Sequence, residues 1–193
     1  MAIDESKSFI PLNIAVLTVS DTRSLADDKS GTTLSDRLTA AGHRLAAREI
    51  VTDDVEKIRT VVRAWIADPG VDVIITTGGT GFTGRDVTPE AIEPLFEKRM
   101  DGFATLFHMV SFAKIGTSTV QTRATAGLAN ATYIFCLPGS PGACRCRRSS
   151  PMAAAVLSAA SMSPCSTRFQ RCRELLAQTP AKQSACSSTW TCK

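Results

Sequence analysis

The chain has 193 residues, enough for one α/β domain with a substantial core, and its 44% hydrophobic content and mean hydropathy of +0.03 are ordinary for a soluble globule. No apolar run approaches the roughly 20 residues of a membrane span, and the polar start of mixed charge is unlike a secretory signal, so the expected location is the cytoplasm. The net charge of +4 belongs to one end: residues 1–144 carry 14 Lys and Arg against 17 Asp and Glu, while residues 145–193 carry 8 against 1, without the interleaved aromatics of a nucleic-acid surface.

Up to residue 144 the pattern alternates strands and helices. Asn13 to Val19 reads as a first buried strand ending in the small polar residues Ser20-Asp21-Thr22. A helix is predicted over residues 32–41, with Leu34, Leu38 and Ala41 on one face and Gly42 as its stop. Residues 44–51 form a weaker strand, expected near the sheet edge. Val55, Ile58, Val62, Trp65 and Ile66 then trace one helical stripe, with Asp53 and Glu56 disposed like a capping box.

Val71, Val73, Ile74 and Ile75 form a β-branched run with little polar alternation, as suits a strand covered on both faces. The run that follows carries the most information: Thr76-Thr77-Gly78-Gly79-Thr80-Gly81, then Arg85-Asp86-Val87-Thr88-Pro89-Glu90. Glycines there let the backbone approach a phosphate, and Asp86 is a hard oxygen ligand placed where a nucleotide-bound Mg²⁺ needs a carboxylate. Thr88 is the expected N-cap of a helix to about residue 96, with Pro89 as its first residue.

A further helix over residues 101–113 would present Phe103, Leu106, Phe107 and Val110 on one face. Residues 116–130, rich in Thr, Ala and Gly, read as a loop or hairpin. The last apolar strand, residues 133–137, leads into Pro138-Gly139-Ser140.

In a parallel sheet the loops after residues 19, 75 and 137 meet at one edge, where α/β folds bind ligands, and three small-residue loops there imply a phosphate-bearing substrate. The P-loop spacing G-x-x-x-x-G-K-[ST] is missing. Asp53 stays open between two roles, a helix cap worth about 1 kcal/mol and a functional carboxylate. His43 and His108 lie off the predicted rim and are expected to be structural.

The glycine run, the Arg85-Asp86-Val87-Thr88-Pro89-Glu90-Ala91 run and Leu137-Pro138-Gly139-Ser140-Pro141 together resemble the MoaB/MogA molybdenum cofactor biosynthesis family, whose fold is shared with gephyrin's G domain. Phe9-Ile10-Pro11, Ala15-Val16-Leu17-Thr18-Val19-Ser20, Ser111-Phe112 and Ile115-Gly116-Thr117-Ser118-Thr119 favour the MoaB branch, and the resemblance runs over residues 9–144. It implies a three-layer α/β subunit with a mostly parallel sheet, assembled into trimers or hexamers. It also implies transfer of AMP from Mg-ATP to the terminal phosphate of molybdopterin with release of pyrophosphate, in concert with other enzymes of the pathway. A non-catalytic molybdopterin- or nucleotide-binding scaffold of the same pathway is the alternative.

By position, the resemblance gives Gly78, Gly79, Thr80 and Gly81 to the substrate phosphates, Asp86 to Mg²⁺ and catalysis, and Asp53 to a second functional carboxylate. Ser20 and Asp21 fall on the nucleotide side, Thr122 and Arg123 match a Ser-Arg pair near the substrate, and Pro138, Gly139 and Ser140 correspond to a second phosphate loop.

The resemblance stops after Cys144. Residues 145–193 are dominated by Ser, Ala, Arg and Cys, hold five of the seven cysteines and show no sustained apolar period. Such a composition does not readily bury a core. The expected organisation is therefore an arm over residues 1–11, the domain over residues 12–144, and a divergent tail, either read out of frame relative to the ancestral gene and disordered or a genuine extension with one helix over residues 151–162. An odd cysteine count without a secretory signal argues against a disulfide framework, and Cys144-Arg145-Cys146 lacks the spacing of a zinc knuckle.

Overall fold

The computed structural model describes residues 9–139; the tail and Ser140 lie outside the described residues. Six strands form one sheet in the order β2-β1-β3-β6-β5-β4, where β1 is Asn13–Val19, β2 Arg44–Val51, β3 Val73–Thr77, β4 Lys98–Arg99, β5 Thr125–Ala129 and β6 Thr132–Leu137. Strands β2, β1, β3 and β6 are mutually parallel, and β5 runs antiparallel to both β6 and β4. The expected edge position of β2 is borne out.

Alternation along the central strands divides the core between the two faces of the sheet. On one face Ile14, Val16, Val73, Ile75 and Phe135 pack against Leu34 and Leu38 of α1 (Lys29–Ala40) and Phe103 and Phe107 of α4 (Asp101–Ile115). On the other, Ala15, Leu17, Ile74 and Ile134 pack against Ile58, Val62 and Trp65 of α2 (Val55–Ala67) and Ala91 and Ile92 of α3 (Thr88–Ile92). These two helix layers make the three-layer α/β sandwich. A third aromatic residue, Phe135, lies 5.3 Å from Phe103 between ring centroids and anchors the α4 side.

Several boundaries differ from the sequence expectations. Helix α1 begins three residues early because Asp28, fully buried, caps it by accepting the Gly31 N–H at 2.9 Å. The same carboxylate accepts the Thr18 hydroxyl at 2.7 Å and pairs with Arg48 at 3.0 Å, tying β1, β2 and α1 together. Burial raises the Asp28 pKa, but the Gly31, Thr18 and Arg48 contacts outweigh it and hold the group below the usual range. Strand β3 is shifted to Val73–Thr77, so the strand continues into the two threonines.

The stretch over residues 116–130 is half hairpin. A 3-10 segment, Gly116–Gln121, leads to β5, which turns back into β6 through Asn130 and Ala131, both at positive φ. Leu106 is a correction: it is 51% exposed, because only Phe103 and Phe107 of α4 reach full burial. His43, a buried ring, accepts the Leu12 N–H at 3.2 Å, and His108 Nδ1 lies 3.1 Å from the Thr119 hydroxyl, both structural contacts away from the rim.

Candidate functional site

The chain passes from β1 out to β2 on one side and then back to β3 on the other, so the strand order reverses at β1. A crevice opens at the carboxyl ends of strands at such a point. The first turn after β1 brings Ser20, the turn after β2 brings Asp53, the loop after β3 brings Gly78–Gly81 and Asp86, and the segment after β6 brings Pro138 and Gly139. Together with Arg23, Gln121 and Thr122 they line an open cleft of about 320 Å³.

The glycine loop is stitched at both ends. Gly78 N–H donates to Leu137 O at 3.0 Å, extending the β3–β6 pairing, while the Thr88 hydroxyl and N–H donate to Gly78 O and Gly79 O at 2.9 and 3.0 Å. Thr88 is thus the first residue of α3 rather than its cap; Val87 occupies the cap position without a side-chain bond, and the Thr88 hydroxyl reaches back to the loop. Gly78 and Gly79 adopt φ of +109° and +61°. A methyl group on Gly78 would lie 2.2 Å from Val19 O, and one on Gly79 would lie 2.4 Å from the Thr88 hydroxyl and 2.8 Å from Asp53 Oδ1. Only glycine fits either place.

Asp53 and Asp86 therefore stand against the same loop, Asp53 beside Gly79 and Asp86 beside Gly81, where an added Cβ would come within 2.7 Å of Asp86 Oδ2. Their electrostatics differ. Burial raises the Asp53 pKa above the ordinary 3.8, and the negative charges of Asp21 and Asp86 add to this despite the opposing Arg85. At Asp86 burial also pushes upward, but the Thr83 hydroxyl and N–H, donating at 2.5 and 2.9 Å, the Gly81 N–H and the Arg123 charge outweigh it, so its carboxyl lies below the usual range.

The capping-box reading of Asp53 is corrected by α2 itself. Asp54 caps that helix, accepting the Lys57 N–H at 2.9 Å. Asp53 is left facing the cleft, with its own N–H donating to Asp21 Oδ1 at 3.2 Å.

Of the residues singled out in the sequence, Ser20, Asp53, Gly78, Gly79, Thr80, Gly81, Asp86, Thr122, Pro138 and Gly139 are brought to one cleft. Thr122 is joined there to Thr80, their hydroxyls 3.0 Å apart. Asp21 and Arg123 are not on its lining. Asp21 is paired with Arg85. Arg123 lies behind the loop: its Nε donates to Gly81 O at 2.9 Å, one terminal nitrogen to Asp86 O at 2.7 Å, and the other pairs with Glu90. Its guanidinium also lies 5.6 Å from the centroid of Phe82. Arg123 thus holds the loop's shape from outside. Sequence reasoning missed Arg23, which lines the cleft and whose only signal was its place directly after the Ser20-Asp21-Thr22 loop that ends the first strand.

The carboxylate pair bears on a metal. Among the described residues no three His, Cys, Asp or Glu side chains gather as a metal cage. Two carboxylates beside a glycine loop, one with its ionisation opposed by the other, make an oxygen donor set that a cation would relieve. Mg²⁺ takes one or two protein carboxylates and completes its shell with phosphate and water, so the residues present fit it.

A mostly parallel α/β sheet with a cleft at its switch point, lined by two glycine-bearing segments and two carboxylates, defines an α/β domain of the kind that binds small ligands at the carboxyl ends of its strands. Residues 15–147 match a family model described as "Probable molybdopterin binding domain". The chain is 51% identical over 140 residues to molybdenum cofactor biosynthesis protein B of Escherichia coli K12, covering 72% of this chain and 82% of that one. Its fold is similar to a crystal structure of a molybdenum cofactor biosynthesis protein B, with a TM-score of 0.72, 37% identity and 81% and 100% of the two chains covered. It is also similar to the tungsten cofactor synthesizing protein MoaB of Pyrococcus furiosus, with a TM-score of 0.65, 32% identity and coverage of 80% and 93%. The chain belongs to the MoaB/MogA family of molybdenum cofactor biosynthesis proteins.

Proposed function

We propose that this chain acts in molybdenum cofactor biosynthesis as a molybdopterin adenylyltransferase. In the reaction a terminal phosphate oxygen of molybdopterin attacks the α-phosphorus of ATP. The new P–O bond forms as the α–β phosphoanhydride bond breaks, and pyrophosphate leaves with the displaced oxygen. The attacking oxygen is already ionised, so no side chain has to form a covalent intermediate or remove a proton. What the site must supply is alignment of two polyanions and neutralisation of their charge.

The observation that carries this reading is the placement of Asp53 and Asp86 against one glycine loop, in the cleft that also receives the Pro138-Gly139 segment. Asp86, with Asp53 beside it, would hold Mg²⁺, which neutralises charge on the reacting phosphates when bound. The loop backbone, with Thr80, Thr122 and Ser20, orients the phosphates. Arg123 keeps the Gly81 and Asp86 carbonyls in place, so its contribution is to loop geometry, and Asp21 steadies the Asp53 backbone.

The test is incubation of the full chain with Mg-ATP and molybdopterin. Pyrophosphate release that disappears in Asp86→Ala supports the enzyme. Binding of both compounds without turnover refutes it in favour of a scaffold.

Three accompanying proposals concern the setting. Copies of the chain assemble into a trimer or hexamer; in support, Leu106, Met109, Phe112, Ile115 and Val120 expose large apolar side chains along α4 and the 3-10 segment after it. Light scattering should give a mass three or six times the subunit's, and a monomer would refute this. The protein works in the cytoplasm beside other enzymes of the pathway, in line with the lack of any described helix long and apolar enough to cross a membrane. Residues 145–193 are encoded out of frame after the domain that ends near residue 144; resequencing the coding DNA refutes this if no single-base shift yields an amphipathic helix after Cys144.

A further inference from the structure

Among the described residues the cleft carries two carboxylates and one cation, Arg23, and the cation's present partners are uncharged. Its Nη1 donates to the Ser30 hydroxyl at 3.1 Å, and its two terminal nitrogens reach Gly139 O at 3.4 and 3.3 Å. These three bonds end on two neutral oxygens, and the pair to Gly139 O is longer than usual. The other arginines around the rim are spoken for, Arg85 by Asp21 and Arg123 by Glu90, while no carboxylate among the described residues pairs with Arg23. Gly139 O does not depend on it either, because the buried Ser30 hydroxyl donates to that carbonyl at 2.9 Å.

Position adds to this. Arg23 bridges the loop after β1 and the segment after β6, and Gly139 packs so closely on Gly78 that a Cβ would meet the Gly78 Cα at 3.0 Å. The guanidinium therefore stands over the seam where the two glycine segments meet. A planar fork of donors on neutral acceptors, facing a cleft with no other cation among the described residues, is arranged to grip a phosphate by two parallel bonds.

We propose that Arg23 is the cationic phosphate contact of this cleft, exchanging the Ser30 and Gly139 oxygens for a terminal phosphate lying between Gly78 and Gly139. The identity of the phosphate's bearer rests on the adenylyl-transfer reading; the anion contact itself does not. A mere structural clip would lower thermal stability on removal and leave anion affinity alone.

The experiment is calorimetric titration of the full chain with inorganic pyrophosphate, comparing wild type, Arg23→Gln and Arg23→Lys, each checked by thermal melt. Arg23→Gln should weaken pyrophosphate binding by about tenfold or more, and Arg23→Lys, a point charge without the fork, by several-fold. Wild-type affinity in Arg23→Gln, or in Arg23→Lys if the Gln variant does not fold, overturns the proposal, as does a wild type that takes up no pyrophosphate. Steady-state kinetics locate the bearer: a raised KM for ATP alone assigns the contact to the nucleotide, a raised KM for molybdopterin alone to the pterin phosphate. The two readings fail separately. Wild-type turnover with unchanged pyrophosphate affinity in Arg23→Gln sinks only the arginine's role, whereas lost affinity in that variant without wild-type turnover sinks only the transferase.

Discussion

Alanine at three glycines of the same loop should give three different results. At Gly84 an added Cβ meets nothing within 4 Å, so Gly84→Ala should stay within about 0.5 kcal/mol of wild type. At Gly79, φ of +61° costs an alanine about 1 kcal/mol, and the new methyl crowds the Thr88 hydroxyl and the Asp53 carboxylate. Asp53 can swing away, but the buried Thr88 hydroxyl must give up its bond to Gly78 O, so the stability loss should be about 2 kcal/mol, and activity falls as the carboxylate leaves its place.

At Gly78, φ is +109° and the obstacle is Val19 O, a backbone atom of a central buried strand, 2.2 Å away. Nothing flexible can yield there. Gly78→Ala should lose about 3 kcal/mol or more, a fall in Tm of roughly 6–12 °C for a domain of this size. Thermal and urea melts of the three variants, with molybdopterin turnover beside them, check the order. Gly78→Ala melting with Gly84→Ala would refute the claim that the loop is pressed against β1.

Asp53 and Asp86 should move stability in opposite directions. A raised pKa in the folded protein means that Asp53's stabilising contribution is complete below its unfolded value of 3.8 and lost as pH rises through the folded value, so at pH 7 its charge opposes folding. Asp86, with a lowered pKa, contributes above 3.8 and loses that contribution as pH falls through its folded value. In melts at pH 7 without Mg²⁺, Asp53→Asn should raise Tm and Asp86→Asn should lower it, while both lose turnover; shifts of the same sign would contradict the electrostatic picture. Asp28→Ala removes a helix cap and the partner of Arg48 from a fully buried position, and urea melts should record a loss of about 3 kcal/mol.

The central strands were legible because short unbroken apolar runs, covered on both faces, leave a strong signal, as Ile14 to Leu17 and Val73 to Ile75 do. The rim was legible for a related reason: once those strands are parallel, their following loops must converge. Neighbouring aspartates were harder. Asp53 and Asp54 each stand near the start of α2, and a one-residue offset decides which caps it and which faces the cleft. Glu56 drew the capping box to Asp53, whereas the helix uses Asp54 with the Lys57 N–H.

On α4 apolar residues occur on more than one face, so periodicity could group Leu106 with Phe103 and Phe107 without revealing which are buried. Arg123 and Arg23 exchanged apparent importance because sequence position places an arginine near a site without aiming its guanidinium. Arg123 turns to the back of the loop and Arg23 into the cleft. The two-residue strand β4 is held by pairing with β5 alone and has no local pattern to announce it.

The most direct measurement is pyrophosphate release by the full chain given Mg-ATP and molybdopterin, with the pterin product weighed by mass spectrometry. One pyrophosphate for each adenylyl-molybdopterin formed, with neither appearing in Asp86→Ala, is the predicted result. Saturable binding of both substrates by the wild type with no pyrophosphate formed would contradict it.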